Sequence, residues 1–262
     1  MRRVAGLFDI HGNLPALDAV LEQVRAAAVD LIVVGGDVIP GPMPRQTLRR
    51  LLDLDLPVRF IHGNCELAVL AQMAAPDPAS ATYWGTTSGR PLPQADLDAM
   101  RWTAQQLGPE VRPVLAGWPR TVHVDIEGLG GVLFCHATPR SETEIFTRQT
   151  ATERLAPLFE RLDASVVVCG HTHMPFDRMV GSTRVVNAGS VGMPFGDPGA
   201  FWVLLGPDVQ LCRTAYDLAG AAERFRATDY PLAEQDARSL VQPPTEREML
   251  ELYRGAELGR VP

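Results

Sequence analysis

The chain has 262 residues, 46% of them hydrophobic and 21% charged, and carries a formal charge of −7. This is the composition of a globular protein long enough to bury a large core, and it argues against a disordered or fibrous chain. The acidic balance, with no arginine- or lysine-rich run, argues against nucleic acid as a partner. No apolar stretch approaches the roughly 18 residues that a membrane span requires, so no membrane association is expected. The run before Asp9 is too short for a signal-peptide core, and a cytoplasmic location is expected. Cys65, Cys135, Cys169 and Cys212 form no C-x-x-C pair, which excludes a zinc ribbon or a disulfide framework. Cys135 and Cys169 lie within apolar runs and read as small buried hydrophobes.

Val4 to Phe8 reads as a buried strand that stops at Asp9. Gly12 permits a turn, Asn13 can cap a helix, and Leu17, Val20, Leu21 and Val24 carry that helix to about Ala28. Leu31 to Val34 is a second strand closing on Gly36-Asp37, and Leu48, Leu51 and Leu52 suit a helix. Val58 to Ile61 is a third strand ending at Gly63-Asn64. This alternation predicts parallel pairing. A surface insertion rich in Pro, Ser, Thr and Gly follows at about 76–95. Next come a helix through Leu97, Met100, Ala104 and Leu107, then strands over Val122–Ile126 and Val132–Cys135 that lead to His136. The spacing predicts a helix over 143–162, then a strand over Ser165–Cys169 that stops at Gly170-His171. Residues 176–180 with 183–186, and 201–205 with 209–213, read as hairpins. Helices are expected near 219–227, 232–240 and 245–254, with Met249, Leu252 and Tyr253 as a small apolar face.

Four of the six histidines thus fall at predicted strand ends, as Asp9-Ile10-His11, His136 and His171-Thr172-His173, with Asp37 and Asn64 at two further strand ends. The carboxyl edge of an α/β sheet is where sites are built. Imidazoles and carboxylates together suit manganese, iron, zinc, nickel or cobalt, with manganese favoured. Two such ions about 3.5–4 Å apart acidify a shared water, and the resulting hydroxide can attack phosphorus in line. Any single element has a plainer reading as a turn or strand-end residue. The i,i+2 pair His171 and His173 after a buried strand rarely arises from packing, and the ordered set of five is the specific signal.

In that order, Asp9-Ile10-His11-Gly12-Asn13, Gly36-Asp37, Gly63-Asn64-Cys65-Glu66, His136 and Gly170-His171-Thr172-His173 resemble the blocks of the calcineurin-like metallophosphoesterase superfamily, specifically its small bacterial and archaeal phosphodiesterases. Asn187-Ala188-Gly189-Ser190 resembles the segment that follows the last histidines there. The resemblance implies a β-sandwich of two mixed sheets flanked by helices. It implies that Asp9, His11 and His173 hold one ion, that Asn64, His136 and His171 hold the other, and that Asp37 bridges them, with Asn64 also serving catalysis. Many superfamily members carry histidine where this chain has Cys65, and a thiol is a weak donor in place of imidazolium. The phosphodiesterase branch resembles this chain in carrying cysteine there.

The expectation is therefore a metallophosphoesterase domain over 1–215 with a C-terminal helical extension over 216–262 packed on it. Its partner is a small phosphate ester, and no oligomeric state is readable. A dinucleoside polyphosphate or cyclic nucleotide hydrolase is an alternative within enzymes, and a non-catalytic scaffold of the same fold is the alternative of another class. Cys65 and Arg140 are candidate substrate contacts, and Tyr83 and Trp84 in the insertion are candidates to stack on a base. His62 is expected to point away from the site and His123 to face water.

Overall fold

A computed structural model describes residues 1–74 and 93–259. Among the described residues, ten strands form two five-stranded sheets, in the orders β10-β9-β1-β2-β3 and β4-β5-β6-β8-β7. In the first sheet β1 (Val4–Leu7), β2 (Leu31–Val34) and β3 (Val58–Phe60) run parallel, and the hairpin of β9 (Ala200–Leu205) and β10 (Val209–Thr214) joins β1 antiparallel. In the second, β5 (Gly130–Cys135), β6 (Val166–Cys169) and β8 (Thr183–Asn187) are parallel, and β4 (Thr121–Ile126) and β7 (Phe176–Val180) close the edges antiparallel. The fold is the expected sandwich of two mixed sheets.

The sheets meet over an apolar layer that includes Phe8, Val33, Ile61, Phe134, Val168, Val186 and Val203. Truncating a fully buried phenylalanine such as Phe8 or Phe134 in such a layer costs about 3–5 kcal/mol. The outer face of the first sheet is covered by α1 (Leu14–Ala26), α2 (Pro44–Leu52), α3 (Asn64–Ala74), α4 (Gln94–Leu107) and α5 (Arg112–Ala116). The outer face of the second is covered by α6 (Thr152–Phe159). In α1 the Asn13 side chain accepts from Ala16 N and Pro15 occupies the first turn, as their residue types favour. The C-terminal segment forms α7 (Leu218–Arg226), α8 (Ala233–Val241) and α9 (Glu246–Arg254).

One sequence expectation changes. The helix expected over 143–162 is only Thr152–Phe159. Thr147 and Thr150 divert the backbone before it: Thr147 N donates to Thr150 Oγ1 and Gln149 N to Thr147 Oγ1, local bonds that compete with helix. Ile145 instead pairs with Glu257 of the C-terminal segment. Helix α3 begins at Asn64, in a stretch to which the sequence assigned no element. Most of the insertion expected at about 76–95, with Tyr83 and Trp84, lies outside the described residues, and its last two positions open α4.

Candidate metal centre

Asp9, His11, Asp37, Asn64, His136, His171 and His173 converge at one edge of the sandwich, all of them buried. The first four follow β1, β2 and β3, and the three others follow β5 and β6. His11 Nε2 lies 3.2 Å from His173 Nε2, which lies 3.2 Å from Asp9 Oδ1. His136 Nε2 lies 3.4 Å from Asp37 Oδ2, 3.2 Å from His171 Nδ1 and 3.1 Å from Asn64 Oδ1. Asp37 Oδ2 is also 4.0 Å from His11 Nε2, which leaves it between the two groups. Ligand atoms of Asp9, His11 and His173 lie within 4.8 Å of one another, as do those of Asp9, Asp37 and His136 and those of His11, Asp37 and Cys65.

Backbone geometry aims these groups. Asp9, His11, Asp37, His171 and His173 all adopt φ between 47° and 66°, the left-handed region that side-chain-bearing residues avoid. Such residues cost about 1–3 kcal/mol each and persist only where the surroundings hold them. Two glycines make room for carboxylates: a Cβ at Gly63 would strike Asp37 Oδ1, and one at Gly170 would strike Asp9 Oδ2.

Further hydrogen bonds lock these candidate ligands in place. His136 Nδ1 lies 2.9 Å from Gly35 O and His173 Nδ1 lies 2.6 Å from Met193 O. A carbonyl can only accept, so each Nδ1 carries a proton, which leaves each Nε2 as the inward-facing nitrogen whose proton a metal ion would displace. Asp9 Oδ2 accepts from His171 N and Asp37 Oδ1 from Cys65 N. Asp9 Oδ1, by contrast, is buried without a hydrogen-bond partner. A buried carboxylate oxygen left bare is costly unless a cation meets it.

The charges agree with this reading. Burial works to lower the His136 pKa, yet the Asp37 and Asp9 carboxylates outweigh it and hold it at about 10. His11 and His171, held down first by burial, sit at about 4 and about 3. Burial alone would raise Asp37, but His136 outweighs it and keeps that carboxyl well below the usual range. The two carboxylates thus draw a positive charge into the centre, and the donor set suits a transition-metal ion.

Glu66, to which no role was assigned from the sequence, organises the first-sheet side. Its carboxylate is fully buried and accepts from Gly63 N at 2.7 Å, Asp37 N at 2.8 Å and Val38 N at 2.8 Å. Burial foremost, then the Asp37 charge, pushes its pKa up to about 7. The sequence signals were its place in the Gly63-Asn64-Cys65-Glu66 block and its offset of three residues after Gly63, that of a helix-capping pair. Cys65 is buried, accepts weakly from Asn64 Nδ2 at 3.4 Å, and is kept a neutral thiol by burial and by Asp37. Arg140 is paired with Glu144 through Nε and Nη2, on a largely exposed side chain. His123 is exposed and bonds Asp163 O, and His62 is half-buried.

Residues 3–206 match the model of the calcineurin-like phosphoesterase superfamily domain. The chain belongs to the calcineurin-like phosphoesterase superfamily. It is accordingly a hydrolase of phosphoester bonds. A metallophosphoesterase from Sphaerobacter thermophilus superposes on this phosphoesterase with a TM-score of 0.69 at 26% identity, over 92% of this chain and 99% of that one. A hypothetical protein from Pyrococcus horikoshii shares the fold at a TM-score of 0.78 and 22% identity, over 94% and 100%. The phosphodiesterase YfcE of Escherichia coli is 25% identical over 213 residues, 77% of this phosphoesterase and 85% of YfcE. No helix among the described residues is long and apolar enough to cross a membrane.

Proposed function

We propose that this phosphoesterase is a dinuclear metal enzyme that hydrolyses phosphodiesters or small phosphate esters. The observation that carries the reading is the inward convergence of four imidazoles, two carboxylates and one amide around the bare Asp9 Oδ1. Asp9, His11 and His173 would hold one divalent ion, and Asn64, His136 and His171 the other. Asp37 would bridge them, as suits a carboxylate oxygen lying near both His11 and His136. Manganese is the favoured metal, with iron, zinc, nickel and cobalt compatible with the same donors. When bound, two such ions acidify water and neutralise charge on phosphoryl oxygens.

The protein's own groups set the orientation. Gly35 O and Met193 O keep His136 and His173 in the tautomer that faces inward. Asn64 Oδ1 stands among the ligand atoms, where the amide can also steer a phosphoryl oxygen. Cys65, held as a thiol, protonates a departing alkoxide poorly, so the reading favours leaving groups that need no proton. Arg140 remains a candidate phosphate contact, its guanidinium now paired with Glu144. We read residues 1–215 as the catalytic domain and 216–262 as an extension packed on it.

The test is a panel of diesters, monoesters and nucleotides offered to manganese-reconstituted protein. Aryl phosphodiesters should show higher kcat/KM than alkyl monoesters. The reverse order would defeat the assignment of Cys65, and no turnover of any ester would defeat the function.

A further inference from the structure

The Asn187-Ala188-Gly189-Ser190 block and the residues that follow it, Val191-Gly192-Met193, connect β8 to β9 and carry none of the seven candidate ligands. This turn is nonetheless joined to the end of β1. Val191 N donates to Phe8 O and Gly192 N to Asp9 O, each at 2.9 Å. A Cβ at Gly192 would strike Ile10 O, so glycine lets the two backbones come this close. Asn13 Nδ2 donates to Gly192 O at 2.9 Å and ties the turn to the loop that carries Asp9 and His11.

Ser190 lies at the middle of this turn and is fully buried. Its Oγ donates to Asp9 O at 2.7 Å and accepts from Met193 N at 2.7 Å. Met193 O in turn accepts from His173 Nδ1 at 2.6 Å. The bonds thus run in series from Asp9, which follows the first sheet, through Ser190 and Met193 to an imidazole that follows the second. Pro194 comes next and narrows the backbone angles open to Met193, so the hydroxyl that anchors Met193 N also fixes the direction of its carbonyl. The Phe195 ring stacks on the His173 ring at 4.9 Å and 24°, and α9 packs through Leu250 and Tyr253 on Met174, with Phe195 alongside. One face of His173 is therefore covered, and Met193 O sets which ring nitrogen points inward. Asp9 O, accepting from both Ser190 Oγ and Gly192 N, gives the left-handed Asp9 backbone the support it requires. The groups proposed for the other ion are anchored elsewhere, His136 on Gly35 O and the Gly63-Asn64 turn on Glu66.

We propose that Ser190 is a positioning residue for the ion that Asp9, His11 and His173 would hold, its hydroxyl setting the Asp9 backbone and the His173 ring in register across the two sheets. This rests on the dinuclear reading and deepens it: the two ions are supported by separate devices, so the affinity of one can be altered without the other.

The test is Ser190→Ala, which removes both bonds and leaves every candidate ligand in the chain. Manganese titrated calorimetrically onto metal-free wild-type protein should fill two sites. In the variant one site should weaken about 10- to 100-fold, the range for losing a contact that orients a ligand, while the other keeps its wild-type affinity. Turnover of bis(4-nitrophenyl) phosphate should fall at limiting manganese and recover at saturating manganese. NMR of the metal-free proteins adds a readout that a general loosening would not give. The His173 Nδ1 proton, held by Met193 O, should exchange with solvent faster in the variant, and the His136 Nδ1 proton, held by Gly35 O, should not. Equal weakening of both sites, or of neither, would overturn the proposal, as would a His173 proton that exchanges at the wild-type rate. Should the alanine variant fail to fold, Ser190→Cys offers a thiol that donates and accepts more weakly, and it should show the same one-sided loss to a smaller degree. Wild-type affinity at both sites in that variant would count against Ser190. A wild-type protein that takes up no manganese would end the dinuclear reading, and the two ring protons would still decide whether Ser190 positions His173.

Discussion

The two sheets contribute to the centre in different currencies. The first supplies both carboxylates and the amide, Asp9, Asp37 and Asn64, with a single imidazole, His11. The second supplies imidazoles alone, His136, His171 and His173. They are also held by different devices. On the first-sheet side a buried carboxylate, Glu66, gathers the N–H groups of Gly63, Asp37 and Val38. On the second-sheet side backbone carbonyls accept from the ligands' own ring nitrogens, and for His136 that carbonyl is Gly35 of the first sheet. Asp9 Oδ2 returns the tie by accepting from His171 N. Neither sheet alone makes a site, so the centre exists only when the apolar layer between them is closed.

The sharpest way to break this comparison removes one ligand from each side. Asp37→Ala and His171→Ala should each lower turnover of an aryl phosphodiester at least about a thousandfold, because either change would dismantle the proposed pair of ions. Metal analysis should find the stoichiometry reduced from two in both. Unchanged turnover in either variant would show that its sheet is dispensable.

A smaller effect tests the devices rather than the ligands. Glu66→Gln replaces an acceptor-only carboxylate with an amide that cannot accept from all three N–H groups. Loss of such supporting contacts typically costs about 10- to 100-fold in metal affinity or activity. Metal titration should show weakened binding at the Asp37 side, and an affinity equal to wild type would remove Glu66 from the scheme.

A third effect, on stability and not on metal, falls outside both sheets. Asp236 in α8 is buried, and burial foremost, with the Asp96 charge, raises its pKa from 3.8 to about 7. A carboxyl whose folded value is raised contributes stability that is complete below its unfolded pKa and lost as pH rises through about 7. Asp236→Asn should therefore match the wild type near pH 4 and exceed it at pH 8 by on the order of 2–4 kcal/mol. Urea unfolding at the two pH values measures this. Equal stability at pH 8 would show that the wild-type carboxylate is relieved in some other way.

The candidate ligand set was legible as a set of strand-end residues because each member sits where an apolar run meets a glycine or a short polar block, a pattern local in sequence. Asp37 and Asn64 could be placed at strand ends from the apolar runs Leu31–Val34 and Val58–Ile61 alone. The sandwich came from the resemblance, because pairing of β1 with β9, nearly two hundred residues apart, leaves no local trace. Glu66 was passed over for the same reason, since two of its three closest partners, Asp37 N and Val38 N, come from another loop. The 143–162 stretch misled because its apolar spacing is helical while its threonines bond the backbone locally. The Met174 and Phe195 packing of α9 was invisible because an apolar helix face does not state what it will cover.

The left-handed backbone at Asp9, His11, Asp37, His171 and His173 has a bearing on descent. Glycine adopts that conformation without penalty, so any of the five could be exchanged for glycine with a gain in backbone ease and a loss of metal. Selection for folding alone would erode these positions first, while leaving the strands and Glu66 intact. A relative that keeps the architecture but shows glycine or asparagine at these sites would thus bear the mark of a retired hydrolase, and this chain bears none of it.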